Sequence, residues 1–353
     1  MKEPVTIKSI AKELNISAST VSRALKDHPD IHRSTKEMVR EAAQRLGFQP
    51  NAVAQGLRNR RTFTLGVIVP QIAHSFFAQI LSGIEEATSA KGYNVLISQS
   101  NELYGREVAC VKNMLSHQVD GIMMSLSQQT FQHTHLFDIQ AKNTPLVLFD
   151  RVHADIQTTK VVIDDYRSAF LLVEHLIEVG YRRIALILGS NDIKICEDRL
   201  AGYLDALRKH DFPTDPSLIV RTNLDEKGAQ KSMEQLLQLP KIPDAVFAIT
   251  DTMAFGAFQA IKTQGYRIPE QIGLVSFNND PKLAWLDTPF TTIEQPAYEM
   301  GRRAALLCIE QIETGVSFQP QTEILPSNLL IRASTTRNQS LADSSLSVLQ
   351  ATY

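Results

Sequence analysis

The feature that most constrains the fold is a change of hydrophobic period at Thr64. From there the short apolar runs TLGVIV, NVLISQ, DGIMMS, PLVLFD, KVVID, RRIALIL, DAVFAIT and IGLVSF alternate with segments of helix or loop length. A strand that is apolar along its length must be covered on both faces, and amphipathic helices between such strands supply the cover. The pattern therefore predicts parallel sheets in an α/β arrangement. Eight such strands exceed one comfortable small sheet, so two similar lobes are expected. TTIEQ, a helix from Pro296 to about Ile312, TEILP and NLLIR are expected to return and finish them. This divides the core, 63–337, into an N-lobe of about 63–161 plus 290–325 and a C-lobe of about 162–289 plus 326–337.

Upstream of Thr64 the pattern is helical throughout. Ile7, Ile10, Ala11 and Leu14 recur at i, i+3, i+4 and i+7, one face of an amphipathic helix. Asn15-Ile16-Ser17 reads as a tight turn with Ile16 as a buried plug and Ser17 as N-cap of a second helix whose inner side carries Val21 and Leu25. Any small bundle can contain such a pair, but the turn length is that of a helix-turn-helix. Its second helix leaves Ala18, Ser19, Ser22 and Arg23 outward, a surface of small polar residues and one Arg that suits a major groove. Ser34 to Glu37 reads as a capping box for a third helix with Met38, Ala42 and Leu46 inward, ending at Gly47. Residues 1–49 thus form a small all-α head. In the 50–62 linker, the stretch from Pro50 to Arg58 is a marginal helix with Asn51 as cap, of a kind that orders only when held.

Charge supports the division. Residues 1–61 hold 12 Lys and Arg against 6 Asp and Glu, whereas the rest holds 24 against 32. A basic head on an acidic body is the footprint of a nucleic-acid-binding domain joined to something else. No apolar run approaches the roughly 18 residues of a membrane span, and MKEPVTIKS lacks the apolar centre of a signal peptide; a cytoplasmic protein is expected. Cys110, Cys196 and Cys308 have no metal-ligand spacing and read as buried free thiols, so no metal is expected. With no Walker A sequence, G-x-G-x-x-G or nucleophile elbow, no catalytic residues or cofactor are assigned and an enzyme is not expected. The tail, 338–353, is Ser-rich with leucines that sustain no heptad, and is expected to be disordered.

VTIKSIAKELNISASTVSRAL, PNAVAQGL, GVIVP with FFAQILSGIEEA, FDR, DRLAGY, TDTMAFGA and TTIEQP occur in that order from residue 4 to about 337. In this combination the chain resembles the lactose-repressor (LacI/GalR) family of bacterial transcription regulators. The resemblance implies a helix-turn-helix head, a hinge helix and a two-lobed α/β core like that of periplasmic sugar-binding proteins. It also implies a homodimer on a pseudo-palindromic operator and a sugar-like effector, with carbohydrate-utilisation genes as the regulated class. A relative gated by a protein partner or a non-sugar metabolite is the alternative.

The same resemblance assigns residues. Ala18, Ser19 and Arg23 match positions that read base edges, Ser17, Thr20 and Ser22 lie nearer the phosphates, and Thr35 joins the DNA-facing set. Arg23 can fork onto guanine O6 and N7, with a phosphate contact as the alternative. Leu57 matches the hinge leucine that wedges a base step in the minor groove, flanked by Asn51, Ala54 and Arg58. The effector pocket is expected between the lobes at the carboxyl ends of strands. Arg199 matches the family's effector-binding arginine. Asp251 is an effector contact or a plain N-cap, Asp150 and Arg151 are ligand contacts or an ion pair, and His74 is a ligand contact or a structural histidine. Phe76 and Phe77 offer an apolar wall, with ordinary core as the alternative for one of them. Asn278-Asn279 stands where the family usually has paired aspartates, and Leu224 near a position often aromatic. The amide at Asn278 both donates and accepts, and a ring-stacking clamp is not expected.

Overall fold

The computed structural model describes residues 5–48, 61–189 and 193–336, together with the backbone of Leu349–Gln350. The hinge expectations at Asn51, Ala54, Leu57 and Arg58 lie outside the described residues. The chain divides into two compact units, 1–62 and 63–353.

The first unit is built from α1 (Ile7–Leu14), α2 (Ala18–Leu25) and α3 (Arg33–Leu46). Thr6 caps α1 in a reciprocal box with Ser9, and Asn15 ends it in the left-handed conformation. Two residues later Ser17 Oγ accepts the Thr20 amide at 3.0 Å and opens α2. Ile10, Ala11, Val21, Ala24, Val39, Ala42 and Ala43 fill the centre, with Ile16, Leu25 and Leu46 packed around them. Two expectations for α3 need correction. Its N-cap is His32, whose ring accepts the Ser34 amide, and Glu37 pairs with Arg33, so the Ser34 capping box does not form. The helix starts at Arg33, two residues earlier than that box requires, and its buried side runs through Val39, Ala42 and Ala43, which leaves Met38 exposed.

In the second unit one sheet has the order β11-β5-β4-β3-β1-β2 and is parallel throughout. Its strands are β1 (Thr64–Val69), β2 (Asn94–Gln99), β3 (Gly121–Met124), β4 (Leu146–Phe149), β5 (Thr159–Ile163) and β11 (Thr322–Leu325). Val67, Val69, Met123, Val147 and Phe149 join one core cluster while Ile68, Ile122, Met124 and Leu148 join another, so the alternation covers both faces. Helices α4 (Ser75–Ser89) and α11 (Ala297–Thr314) pack so closely that a Cβ on Gly83 would meet Tyr298 O at 2.0 Å and one on Gly301 would meet Ile80 O at 2.0 Å. Only glycine permits that approach.

The second sheet has the order β13-β12-β10-β9-β8-β6-β7. It comprises β6 (Ile184–Leu188), β7 (Ile219–Arg221), β8 (Ala245–Ala248), β9 (Gly273–Phe277), β10 (Thr291–Glu294), β12 (Asn328–Leu330) and β13 (Leu349–Gln350). Strand β10 pairs with β9, so the expected N-lobe segment 290–325 is corrected: its first strand belongs to the other sheet, and the return begins with α11. Leu349–Gln350 adds an antiparallel edge to β12, where a disordered tail is expected; β12 otherwise presents an open row of backbone donors and acceptors. The chain passes between the sheets after β5, β10 and β11, which places the carboxyl ends of β1–β4 opposite those of β6, β8 and β9. No helix among the described residues is long and apolar enough to cross a membrane.

Candidate functional site

The exposed side of α2 is a candidate DNA interface. Burial of Val21 and Ala24 leaves Ala18, Ser19 and Arg23 exposed and Thr20 and Ser22 half-buried at the edge. Ser17 Oγ lies 2.7 Å from Ser19 Oγ and 2.8 Å from Thr20 Oγ1, a hydroxyl cluster at the helix N-terminus. Arg33, Arg40 and Arg45 are engaged by Glu37, Asp27 and Glu13, while Arg23 stands exposed; Thr35 is half-buried in the first turn of α3.

A cavity between the two sheets is lined by Gln71, His74, Phe76, Phe77, Glu102, Asp150, Arg151, Ile195, Arg199, Leu224, Thr250, Thr252 and Asn278. Seven of the eight sequence-expected residues meet there: His74, Phe76, Phe77, Asp150, Arg151, Arg199 and Asn278. Its water-accessible volume is about 30 Å3, so the cleft is narrow. Among the described residues three hydrogen bonds cross it: His74 Nε2 with Thr252 Oγ1 at 3.0 Å, Ser75 Oγ to Asp280 Oδ2 at 2.8 Å, and Leu224 N to Gln128 Oε1 at 2.9 Å.

Arg199, on α8 (Lys194–Lys209), is buried and already engaged. Its Nε donates to Asp165 Oδ1 at 2.8 Å, its Nη1 donates to the Ile249 carbonyl, and the guanidinium lies 3.8 Å from the centroid of Phe277. The fork keeps further N–H groups for a ligand. Burial lifts the Asp165 carboxyl to about 6, outweighing the opposing pull of Arg199. Arg151 finds a different partner from the neighbour expected: its Nη1 donates to both oxygens of Glu102 at 2.8 and 2.7 Å, whereas Asp150 Oδ2 is 3.9 Å from its Nε. Asp150 itself holds the left-handed conformation at φ 59, accepts from Ser125 Oγ at 3.2 Å, and is raised in pKa chiefly by burial.

His74 precedes α4, bonds Thr252 and lines the cavity. Burial, then Arg151, lowers its pKa, and its Nδ1 is buried without a partner among the described residues. Phe76 and Phe77 both line the cavity and both belong to the core. Asn278 (φ 89) accepts from Gln295 Nε2 at 2.6 Å.

Asp251 is the exception. Thr250 is the N-cap of α10 (Asp251–Thr263), and Asp251 stands in its first turn, buried away from the cavity lining. Its oxygens accept from Ser276 Oγ at 2.7 Å and from the Asp280 amide at 2.6 Å. Burial raises its carboxyl to about 7 despite these bonds. The sequence reading missed Gln71, Glu102, Ile195, Thr250 and Thr252; Glu102 closely follows the carboxyl end of β2, which was the available signal. Cys196 and Cys308 are buried free thiols, with Cys308 pushed up to about 12 by burial, whereas Cys110, expected to be buried, is half-buried and its Sγ donates to the Gln99 carbonyl at 3.7 Å.

Residues 6–51 match the model for bacterial regulatory proteins of the lacI family, and residues 173–335 match that for a periplasmic binding protein-like domain. The chain is 34% identical to the HTH-type transcriptional repressor CytR of Escherichia coli K12, covering 94% of this chain and 96% of that protein. It is 33% identical to catabolite control protein A of Priestia megaterium, covering 86% and 91%. Among solved structures, a lac repressor dimer bound to operator and the anti-inducer ONPF shares the fold with a TM-score of 0.83 at 24% identity, covering 94% and 99%. A complex of the transcriptional regulator CelR with cellobiose gives 0.71 at 26%, with the same coverage. With its head, its two-lobed core and nearly its whole length matched in this way, the chain belongs to the lacI family of bacterial regulatory proteins.

Proposed function

We propose that the chain is a cytoplasmic transcriptional repressor that binds a pseudo-palindromic operator as a homodimer and releases or tightens its grip when a small sugar-like effector occupies the cleft. The observation that carries this reading is the exposed face of α2, where Ala18, Ser19 and Arg23 stand clear of the head's core. Arg23 reads a guanine edge, Ala18 meets an apolar base feature such as a thymine methyl, and Ser17, Thr20, Ser22 and Thr35 hold phosphates. Leu57 wedges a base step in the minor groove, with Asn51, Ala54 and Arg58 beside it.

For the effector, two guanidinium groups, two amides, a histidine and two carboxylates around a cleft shared by two lobes suit a hydroxyl-rich molecule. Phe76 and Phe77 supply an apolar wall, while Leu224 supplies no ring to stack on. A sugar-sized ligand exceeds the accessible volume of the narrow cleft, so its binding and the lobe angle are linked. Selection of duplexes from a random library by the full-length chain tests the DNA part: a two-fold-related sequence pair is expected, bound with a steep inverse salt dependence. Absence of sequence enrichment would reject it. Loss of DNA bending in Leu57→Ala tests the wedge.

A further inference from the structure

We propose that Glu102 is a positioning residue that ties occupancy of the cleft to its closure through the chain Arg151–Glu102–Gln128–Leu224. The proposal rests on the reading of the cleft as an effector site. Glu102 is buried and follows β2 in two successive left-handed residues, Asn101 at φ 53 and Glu102 at φ 62. Such a conformation in non-glycine residues persists where surrounding contacts enforce it. Here the contacts belong to the carboxylate. Both oxygens accept from Arg151 Nη1, and Oε2 also accepts the Gln128 amide at 2.8 Å.

Gln128 is the piece that crosses the cleft. Its side-chain carbonyl accepts the amide of Leu224, 96 residues further on, and Leu224 itself lines the cavity. The loop carrying Gln128 is fastened on either side by the buried Glu107, which accepts from Ser127 N at 2.6 Å and Thr130 Oγ1 at 2.8 Å. Between those two fixed points the Gln128 amide answers to Glu102. One carboxylate oxygen thus serves a cavity-lining arginine and the loop that latches the opposite lobe.

Arg151 Nε is buried without a hydrogen-bond partner among the described residues. A ligand oxygen that accepts from Nε draws on the same guanidinium whose Nη1 holds Glu102, so a shift of Arg151 toward the ligand is felt by the carboxylate. The carboxylate then follows or releases Arg151, and the Gln128 latch moves with it. Glu102 acts as an internal stand-in for a ligand acceptor and holds the Gln128 latch across the cleft.

Amide hydrogen exchange at single-residue resolution on the ligand-free, full-length chain tests the coupling, because exchange of Leu224 and Gln128 reports local opening. In Gln128→Ala, the Leu224 amide is expected to exchange roughly tenfold faster while Ser127 is unchanged. In Glu102→Gln, which keeps an acceptor but loses its charge, both Gln128 and Leu224 are expected to speed up by roughly threefold to tenfold, with Ser127 again unchanged. Acceleration confined to Gln128, or spread equally to Ser127, overturns the coupling, as does an unchanged Leu224 amide in Gln128→Ala. No ligand enters this experiment, so its failure leaves the effector reading standing. Failure of that reading appears separately, as operator affinity indifferent to every ligand.

Discussion

The DNA-facing helix and the inter-lobe cleft are assembled over very different distances in sequence. In α2 the cap joins Ser17 to Thr20, and the two buried positions, Val21 and Ala24, decide which neighbours face outward. In the cleft, Arg199 meets Asp165 across 34 residues, Arg151 meets Glu102 across 49, and Gln128 meets Leu224 across 96. An exposed side chain on a locally determined helix can be changed without disturbing the fold. A cleft residue that also anchors the core cannot. The same groups that would meet an effector here carry structural load, which predicts a graded series of outcomes.

The largest effect is expected for Arg199→Ala. Removing the guanidinium leaves Asp165 buried opposite nothing and empties the space over Phe277, a loss of roughly 3–5 kcal/mol measurable by urea denaturation. A loss below about 1 kcal/mol would separate binding from structure at this residue and break the contrast.

Asp251→Asn is expected to stabilise the core by about 1–3 kcal/mol at pH 8. The folded carboxyl is raised from 3.8 to about 7, so its favourable contribution is fully present below about pH 3.8 and is lost as pH rises through about 7. Asn imitates the protonated form, accepting from the Asp280 amide and donating to Ser276 Oγ. Denaturation across pH 4–8 should therefore show the gain shrinking toward the acid end; a gain independent of pH would contradict the titration.

In the head, Arg23→Ala should cost roughly 1–3 kcal/mol of affinity for the selected operator without altering the thermal melt. A uniform loss on all DNA sequences would move Arg23 from base to phosphate contact. The smallest change is expected for Ser17→Ala, about 1 kcal/mol of head stability, read as faster amide exchange at Thr20.

The contrast also explains what was legible. Strand runs, the helix pair, its Ser17 cap and the Gly47 stop are short-range patterns and could be read directly. The third helix slipped because Ser34-to-Glu37 satisfies the capping-box pattern while the His32 ring, one residue before the helix, competes for the same Ser34 amide. That strand β10 joins the sheet of β9 and not that of β1 is not legible locally, because a run such as TTIEQ carries its apolar pattern but no mark of which sheet it joins. Arg199 and Asp150 were found through resemblance, whereas Glu102 was not: no local pattern announces a carboxylate whose partner lies 49 residues away. Asp251 opens a helix beside the cleft, and only the fold reveals that both its oxygens are spent on Ser276 and the Asp280 amide.

The most direct test of the whole account is the affinity of the full-length chain for its selected operator, across a salt series, with and without a panel of pentoses, hexoses, disaccharides and nucleosides. Steeply salt-dependent binding is expected, shifted by one ligand class by roughly 5–150-fold, an effect lost in Arg199→Lys. Tight binding that no member of the panel alters would contradict the effector-gated mechanism while leaving the DNA interface intact.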